Sequence, residues 1–290
     1  MKPRSLWRPL ILVSIIAFAA ALAGEIRAQE GSSRSRLVIA YPSLGGDTLT
    51  LSRYSALNSF ISEQMGMTVE PVVTDGYTPI YIGMRLGKMD MAYMGPLSYI
   101  ELSKRAKVEP LVMELSPQGK AGYKSMIITS SNSGIYGLSQ ARDRVFAMTN
   151  PDSTSGFLIP CFHLMREYGQ TPAKFASEVV FTGSHDQLIL GVKEGKYAVG
   201  ATNDIDLDRV SAEKGFLKKD FVVLWESDTY PASPWVVRAD LDRDLKKSLL
   251  SAMLAAGEEE SVKNGLGVGG FIKVKGSDYD NVRSLKRIMR

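Results

Sequence analysis

Residues 145–168 read VFAMTNPDSTSGFLIPCFHLMREY, and the order of residue types within this stretch decides the class of fold. Val145 to Met148 is a short β-branched and aromatic run. Asn150-Pro151-Asp152-Ser153-Thr154-Ser155-Gly156 is a turn cluster, after which Phe157, Leu158, Phe162, Leu164 and Met165 recur at helical spacing. Strand, turn and helix in that order make one βα unit. The same alternation extends both ways, with strands predicted over 36–41, 68–73, 90–94, 108–114, 125–129, 178–181, 198–201, 221–225 and 235–238. Helices are predicted over 51–63, 79–86, 96–105, 156–168, 186–194, 205–214 and 241–263, each with apolar residues three or four apart. The pattern predicts an α/β protein built on largely parallel sheet. Ten strands exceed what one compact sheet of this length needs, since cores of roughly 100 to 150 residues are usual, so two lobes are expected. Clusters of Ser, Asn, Asp, Gly and Pro near Ser130–Ser133 and Ser227–Ser233 are the places to cross between them, and the cleft is the natural ligand site.

Composition narrows the function classes. With one cysteine, Cys161, in 290 residues, an intrachain disulfide and a multi-cysteine metal site are excluded, and two histidines leave little for a histidine-based site. No cofactor or metal is expected. The 13 methionines follow the apolar periodicity of strands and helices and read as core filling. At the amino end Lys2, Arg4 and Arg8 precede an uncharged run from Leu10 to Ala23, which is shorter than the ~20 residues a membrane span needs. Residues 1–28 therefore read as a cleaved export signal, with cleavage after Ala28 preferred over Ala23. Without those residues the chain carries 31 basic and 30 acidic side chains, a net charge of +1. No basic stripe interleaved with aromatics is present, and nucleic acid is not an expected partner.

The candidate chemistry sits at strand ends. The turn at Ser153-Thr154-Ser155-Gly156 opens a helix, so unpaired amide groups and the positive end of the helix dipole meet three hydroxyl side chains, which suits a tetrahedral oxyanion. The competing structural role for Asp152, Ser153 or Thr154 is to cap that helix. His185, in Gly183-Ser184-His185-Asp186, follows another strand and is expected beside the same cluster, because ligands of open α/β sheets gather outside the carboxyl ends of strands. Tyr77, Tyr99 and Tyr123 also adjoin strand ends, where a phenol can donate to an anion or simply cover a core edge. Asp204 and Asp228 follow two further strands and could accept from a ligand amino group or a protonated phosphoryl oxygen, or serve as hinge and capping residues.

Several motifs occur in a single order: Gly76-Tyr77, Gly87 to Ala92 leading into Gly95-Pro96-Leu97-Ser98-Tyr99, Asn132-Ser133-Gly134-Ile135, Asp152 through Pro160, Gly183 to Asp186, and Ser227 to Pro234. Together they resemble the phosphate-, phosphite- and phosphonate-binding proteins of ABC transporters, the PhnD-like family, over roughly 37–257. The resemblance implies a type II periplasmic binding fold, two α/β lobes joined by a two-strand hinge and closing on the ligand. It also implies that the chain returns to its first lobe, giving 34–129 with 226–290 as lobe 1 and 130–225 as lobe 2. The family's phosphoryl contacts fall on Tyr77, Tyr123, Ser153, Thr154, Ser155 and His185, and acidic residues that hold a ligand amino group in some members map near Asp204 and Asp228. Leu138 to Arg144 departs from the family pattern and is expected to alter a surface turn.

The expected function is capture of a small phosphorus oxyanion in the periplasm by a monomer that passes it to a membrane permease without performing a reaction. No lysine or arginine stands among the candidate phosphoryl contacts, so neutral donors are expected to grip the anion. Two rivals are a secreted hydrolase using Ser153 or Ser155 with His185, and a receptor of the same fold that serves a signalling partner.

Overall fold

A computed structural model describes residues 35–289; the expected export signal, residues 1–28, lies outside them. In chain order the strands are β1 (Arg36–Pro42), β2 (Thr68–Thr74), β3 (Met91–Tyr93), β4 (Val108–Leu115), β5 (Tyr123–Ser130), β6 (Val145–Met148), β7 (Glu178–Phe181), β8 (Val199–Asn203), β9 (Phe221–Tyr230), β10 (Pro234–Arg238) and β11 (Gly270–Lys273). The helices are α1 (Asp47–Met65), α2 (Thr78–Arg85), α3 (Pro96–Ser103), α4 (Ile159–Tyr168), α5 (Pro172–Phe175), α6 (His185–Lys193), α7 (Asp204–Lys214), α8 (Arg243–Ala256), α9 (Glu260–Leu266) and α10 (Asp280–Ile288). The strands form a six-stranded sheet, β11-β4-β10-β3-β1-β2, and a five-stranded sheet, β7-β6-β8-β5-β9. Each sheet with its helices is one α/β lobe.

Both faces of each sheet are buried, and the alternation of side chains along a strand distributes the core accordingly. In β1, Leu37, Ile39 and Tyr41 pack with α1 and α8 on one face, while Val38 and Ala40 join Ile80, Tyr81 and Met84 of α2 on the other. In β6, Phe146 and Met148 face Leu164 and Phe175, and Ala147 faces Leu188, Ile189 and Val192 of α6. The methionines Met84, Met89, Met91 and Met94 are all buried, as is Cys161, whose thiol burial pushes up to about 12.

The sheets are mixed rather than largely parallel. β1 runs parallel to β2 and β3, and β6 to β7 and β8, but β10, β11, β5 and β9 are antiparallel to their neighbours. The reversed strands include those that carry the chain between lobes: β4 leaves and β10 returns side by side in the first sheet, and β5 enters and β9 leaves side by side in the second. The first crossing, expected near Ser130–Ser133, lies instead at 116–122, because the whole of β5 pairs with β8 and β9. The second occupies 231–233. At the first crossing Gly122 is required by space, since a Cβ there would stand 2.6 Å from the Tyr230 carbonyl oxygen.

β11, four residues in a glycine-rich stretch, and the short α5 were not foreseen, and α10 buries Val282 and Leu285 against the first lobe. The predicted helix over 241–263 is divided into α8 and α9. Beneath the cleft the cores are continuous, for Leu158 and Ile159 of the second lobe pack in the same cluster as Ile80, Leu97 and Val282 of the first.

Candidate functional site

A cavity of about 120 Å3 lies between the lobes. The first lobe lines it with Arg53, Tyr77, Tyr93, Pro96 and Glu114, and the second with Tyr123, Thr149, Ser153, Thr154, Ser155, His185, Asn203, Asp206 and Arg209. Six residues expected at the site are thus brought together: Tyr77, Tyr123, Ser153, Thr154, Ser155 and His185.

The turn after β6 is a π-helical turn, Thr154–Leu158, that leads into α4. Pro160 accounts for it. Proline has no N–H for the carbonyl four residues back and clashes with it in a regular helix, so a continuous α-helix from Ser153 is not available. The Gly156 carbonyl accepts instead from the Thr149 amide at 3.3 Å, and Leu158 N–H donates to Ser153 at 3.1 Å across the wider turn. This close approach admits only glycine at 156, where a Cβ would come within 2.0 Å of Thr149 Oγ1. Capping and anion reception coexist here. Ser153 is the N-cap, its Oγ accepting from the Gly156 amide at 3.0 Å, while the amides of Thr154 and Ser155 open the turn with no carbonyl behind them. Thr149 Oγ1 is a further buried hydroxyl on the cavity wall without a hydrogen-bond partner among the described residues.

The hydroxyls converge on this turn. Ser155 Oγ accepts from Asn203 Nδ2 at 3.3 Å and lies 3.5 Å from His185 Nε2. The Tyr123 hydroxyl adjoins those of Thr154 and Ser155, and that of Tyr77 adjoins Ser98 and Gly95; burial raises both phenols, so each remains a protonated donor. His185 opens α6, behind its N-cap Ser184, with Nδ1 2.9 Å from Thr202 Oγ1. Burial lowers its pKa against the opposing pull of Asp206 and Asp186, which keeps the ring neutral at pH 7.

Two expected residues stand elsewhere. Asp204 does not line the cavity; its Oδ1 accepts from the amides of Lys124 at 2.9 Å and Ile205 at 3.0 Å, tying α7 to β5. Asp228 is exposed on β9 and does not line it either. Tyr99 packs edge-on against Tyr279 in the core.

Sequence reasoning missed a charged wall. Arg209 forms a fork with Asp186, at 2.5 and 3.1 Å, and also pairs with Asp206 at 2.9 Å and Glu213 at 3.2 Å. Arg53 bridges to Glu213 at 3.4 Å and donates to the Leu266 carbonyl. Two guanidiniums thus line the cavity beside the neutral donors expected to grip the anion, and both are engaged by carboxylates. Burial would push Asp206 up, but His185 and Arg209 hold its carboxyl well below the usual range. Glu114 behaves oppositely: burial pushes it up to about 7 despite Arg53 and the Tyr93 hydroxyl, which donates to Oε2 at 3.1 Å. The spacing of Asp206, Arg209 and Glu213 by three and four residues on α7 was the available sequence signal.

The ring of His185 does not complete a hydrolytic triad. Such a triad needs the nucleophile and the carboxylate on opposite ring nitrogens. Ser155 and Asp206, at 3.5 and 3.8 Å, both approach Nε2, and Nδ1 faces Thr202.

The chain is similar to proteins already known. Residues 42–279 match the family model described as ABC transporter, phosphonate, periplasmic substrate-binding protein. The phosphonates-binding periplasmic protein of Escherichia coli K12 is 28% identical over 218 residues, covering 73% of this chain and 64% of that protein. The phosphate-import protein PhnD of Mycolicibacterium smegmatis is 28% identical over 275 residues, 88% of this chain and 85% of that protein. The crystal structure of a binding protein component of an ABC phosphonate transporter from Pseudomonas aeruginosa superposes with a TM-score of 0.80 at 24% identity, covering 88% of this chain and 86% of that one. With the type II periplasmic binding fold in place and the family model spanning most of its length, the chain belongs to the periplasmic substrate-binding proteins of phosphonate ABC transporters.

Proposed function

We propose that the mature protein, a monomer, binds phosphonate, phosphite or phosphate between its lobes in the periplasm and delivers it to an inner-membrane permease without chemical turnover. The observation that carries this reading is the convergence of neutral donors on one cavity: the amides opening the turn at Thr154 and the hydroxyls of Thr154, Ser155, Tyr123 and Tyr77, beside a neutral His185. In a water-excluded cleft such donors gain strength toward an anion. The lobes turn about the crossings at 116–122 and 231–233, and ligand closes them by as much free energy as it gains from touching both walls at once. Absence of reaction is supported by the placement of Ser155 and Asp206 on the same nitrogen of His185. The relatives' names, one for phosphonates and one for phosphate, set the ligand range to test.

Calorimetry with phosphate, phosphite, methylphosphonate, 2-aminoethylphosphonate and sulfate tests the reading. At least one phosphorus oxyanion binds more tightly than sulfate, and Ser155→Ala weakens that binding about tenfold, the worth of one hydrogen bond to a charged group. Equal affinity for sulfate, or full affinity in Ser155→Ala, would overturn it.

A further inference from the structure

Three hydrogen bonds cross from the first lobe to the loop that begins the candidate anion cradle. Tyr81 of α2 donates its hydroxyl to Asp152 Oδ2 at 3.0 Å, Ser98 of α3 donates to the Asp152 carbonyl at 2.8 Å, and the Leu97 amide donates to Thr154 Oγ1 at 2.8 Å. The donors come from two helices; the acceptors lie within three consecutive residues. Leu97 follows Pro96 in the first turn of α3, so its N–H has no carbonyl within the helix and takes its acceptor from the other lobe. Asp152 is steadied from its own side by Asn150, whose Oδ1 accepts from the Asp152 amide at 2.9 Å.

We infer that Asp152 is a positioning residue for ligand capture: with Tyr81 and Ser98 it latches the lobes together and fixes Ser153–Ser155 at the mouth of the cavity, without itself touching ligand. The inference rests on the reading of 153–155 as the ligand cradle. Lobe closure and cradle geometry share one rigid loop, so they are linked: a ligand that orders the loop favours the latch, and the latch slows the ligand's escape. Thr154 then has two duties, accepting from Leu97 with its oxygen and keeping its hydroxyl proton for the anion. The latch lies above the core that the two lobes share, so removing it leaves that core in place and raises the rate of ligand loss.

Tyr81→Phe tests this while keeping the ring, over which the Arg105 guanidinium lies 5.0 Å from the centroid. The probes are inorganic phosphate and methylphosphonate. In Tyr81→Phe the dissociation rate of the bound probe rises about tenfold and association stays within about twofold, as expected for a lost hydrogen bond to a carboxylate that is made only on closure. The melting temperature without ligand is unchanged, and the Leu97 amide exchanges hydrogen faster. Asp152→Asn added to Tyr81→Phe costs little more, because the pair acts as one unit. Unchanged dissociation, additive losses, or a fall in the ligand-free melting temperature that accounts for the lost affinity would overturn the latch. If the wild type binds neither probe, the ligand reading is what fails, and the latch stands or falls on Leu97 exchange alone, with unchanged exchange in Tyr81→Phe overturning it.

Discussion

Around Ser153, Thr154 and Ser155 the cavity presents amides and hydroxyls, whereas Arg53, Glu114, Asp186, Asp206 and Arg209 bring five ionisable side chains to the same space. The difference follows from the cost of waiting without a ligand. A neutral donor facing a cleft can be satisfied by water and released to an anion at modest cost, so it stays available for binding. A buried charge cannot wait unpaired, and the second wall has settled its charges internally through the Arg209 fork and the Arg53–Glu213 pair. That wall still shapes the first one. Asp206 Oδ2 accepts from Asn203 Nδ2 at 2.8 Å, and the same amide reaches Ser155 Oγ, so carboxylate and guanidinium orient a neutral cradle they do not belong to.

Removing the centre of the charged wall is therefore the most damaging single change. Arg209→Met leaves the buried Asp186 and the half-buried Asp206 without their cation, and the loss of one partner from such a cluster costs about 3–5 kcal/mol. Urea unfolding at pH 7 reads that loss directly. A midpoint close to that of the wild type would mean that the carboxylates relax to solvent and that the wall is not a closed network.

A smaller effect isolates Glu114, the carboxyl of this wall that burial leaves poorly ionised. Its folded pKa of about 7 lies above the ordinary 4.5, so between those values the folded protein holds a proton that the unfolded chain has released. Stability contributed by Glu114 is accordingly full below about pH 4.5 and declines as pH rises towards 7, by about 2–3 kcal/mol for a shift of that size. Glu114→Gln removes the titrating group and flattens this slope. Unfolding free energies of both proteins at pH 5 and pH 7.5 supply the check, and parallel pH profiles would show that Glu114 is solvated.

The two walls were unequally legible in the sequence for a physical reason. The cradle is local: a strand end, a hydroxyl-rich turn and a helix occupy 145–168, and each signal comes from neighbours in the chain. His185 and the tyrosines carried the same strand-end signature. The charged wall is assembled from α1, β4, α6 and α7, and no pattern along the chain announces that Arg53 meets Glu213 or that Arg209 meets Asp186. On α7 the spacing of Asp206, Arg209 and Glu213 was visible, but it reads equally as a solvated face. Strand positions were legible while strand directions were not, since strands buried on both faces look alike whether parallel or antiparallel. The first crossing was misplaced because Ser116 to Gly122 and Ser130 to Ser133 are both turn-forming clusters, and only pairing distinguishes them. β11 is too short, between glycines, to show a period.

Asp228 gives the smallest expected effect and the sharpest boundary to the comparison. It follows the apolar start of β9 just as His185 follows β7, which made it a candidate, yet its side chain is exposed and the cavity does not include it. Its main role in hydrogen bonding belongs to the backbone, whose carbonyl accepts from Ser227 Oγ at 2.6 Å and does not depend on the side chain. Asp228→Asn should leave stability within about 0.5 kcal/mol, as for other surface substitutions, and leave the affinities for methylphosphonate and 2-aminoethylphosphonate in their original ratio. Calorimetry with both ligands decides it. A selective loss of the amino-bearing ligand would place a third, acidic wall at the cleft when ligand is bound. An unchanged ratio would confine recognition to residues that already face the cavity, where strand-end position matters only when the following turn points inward.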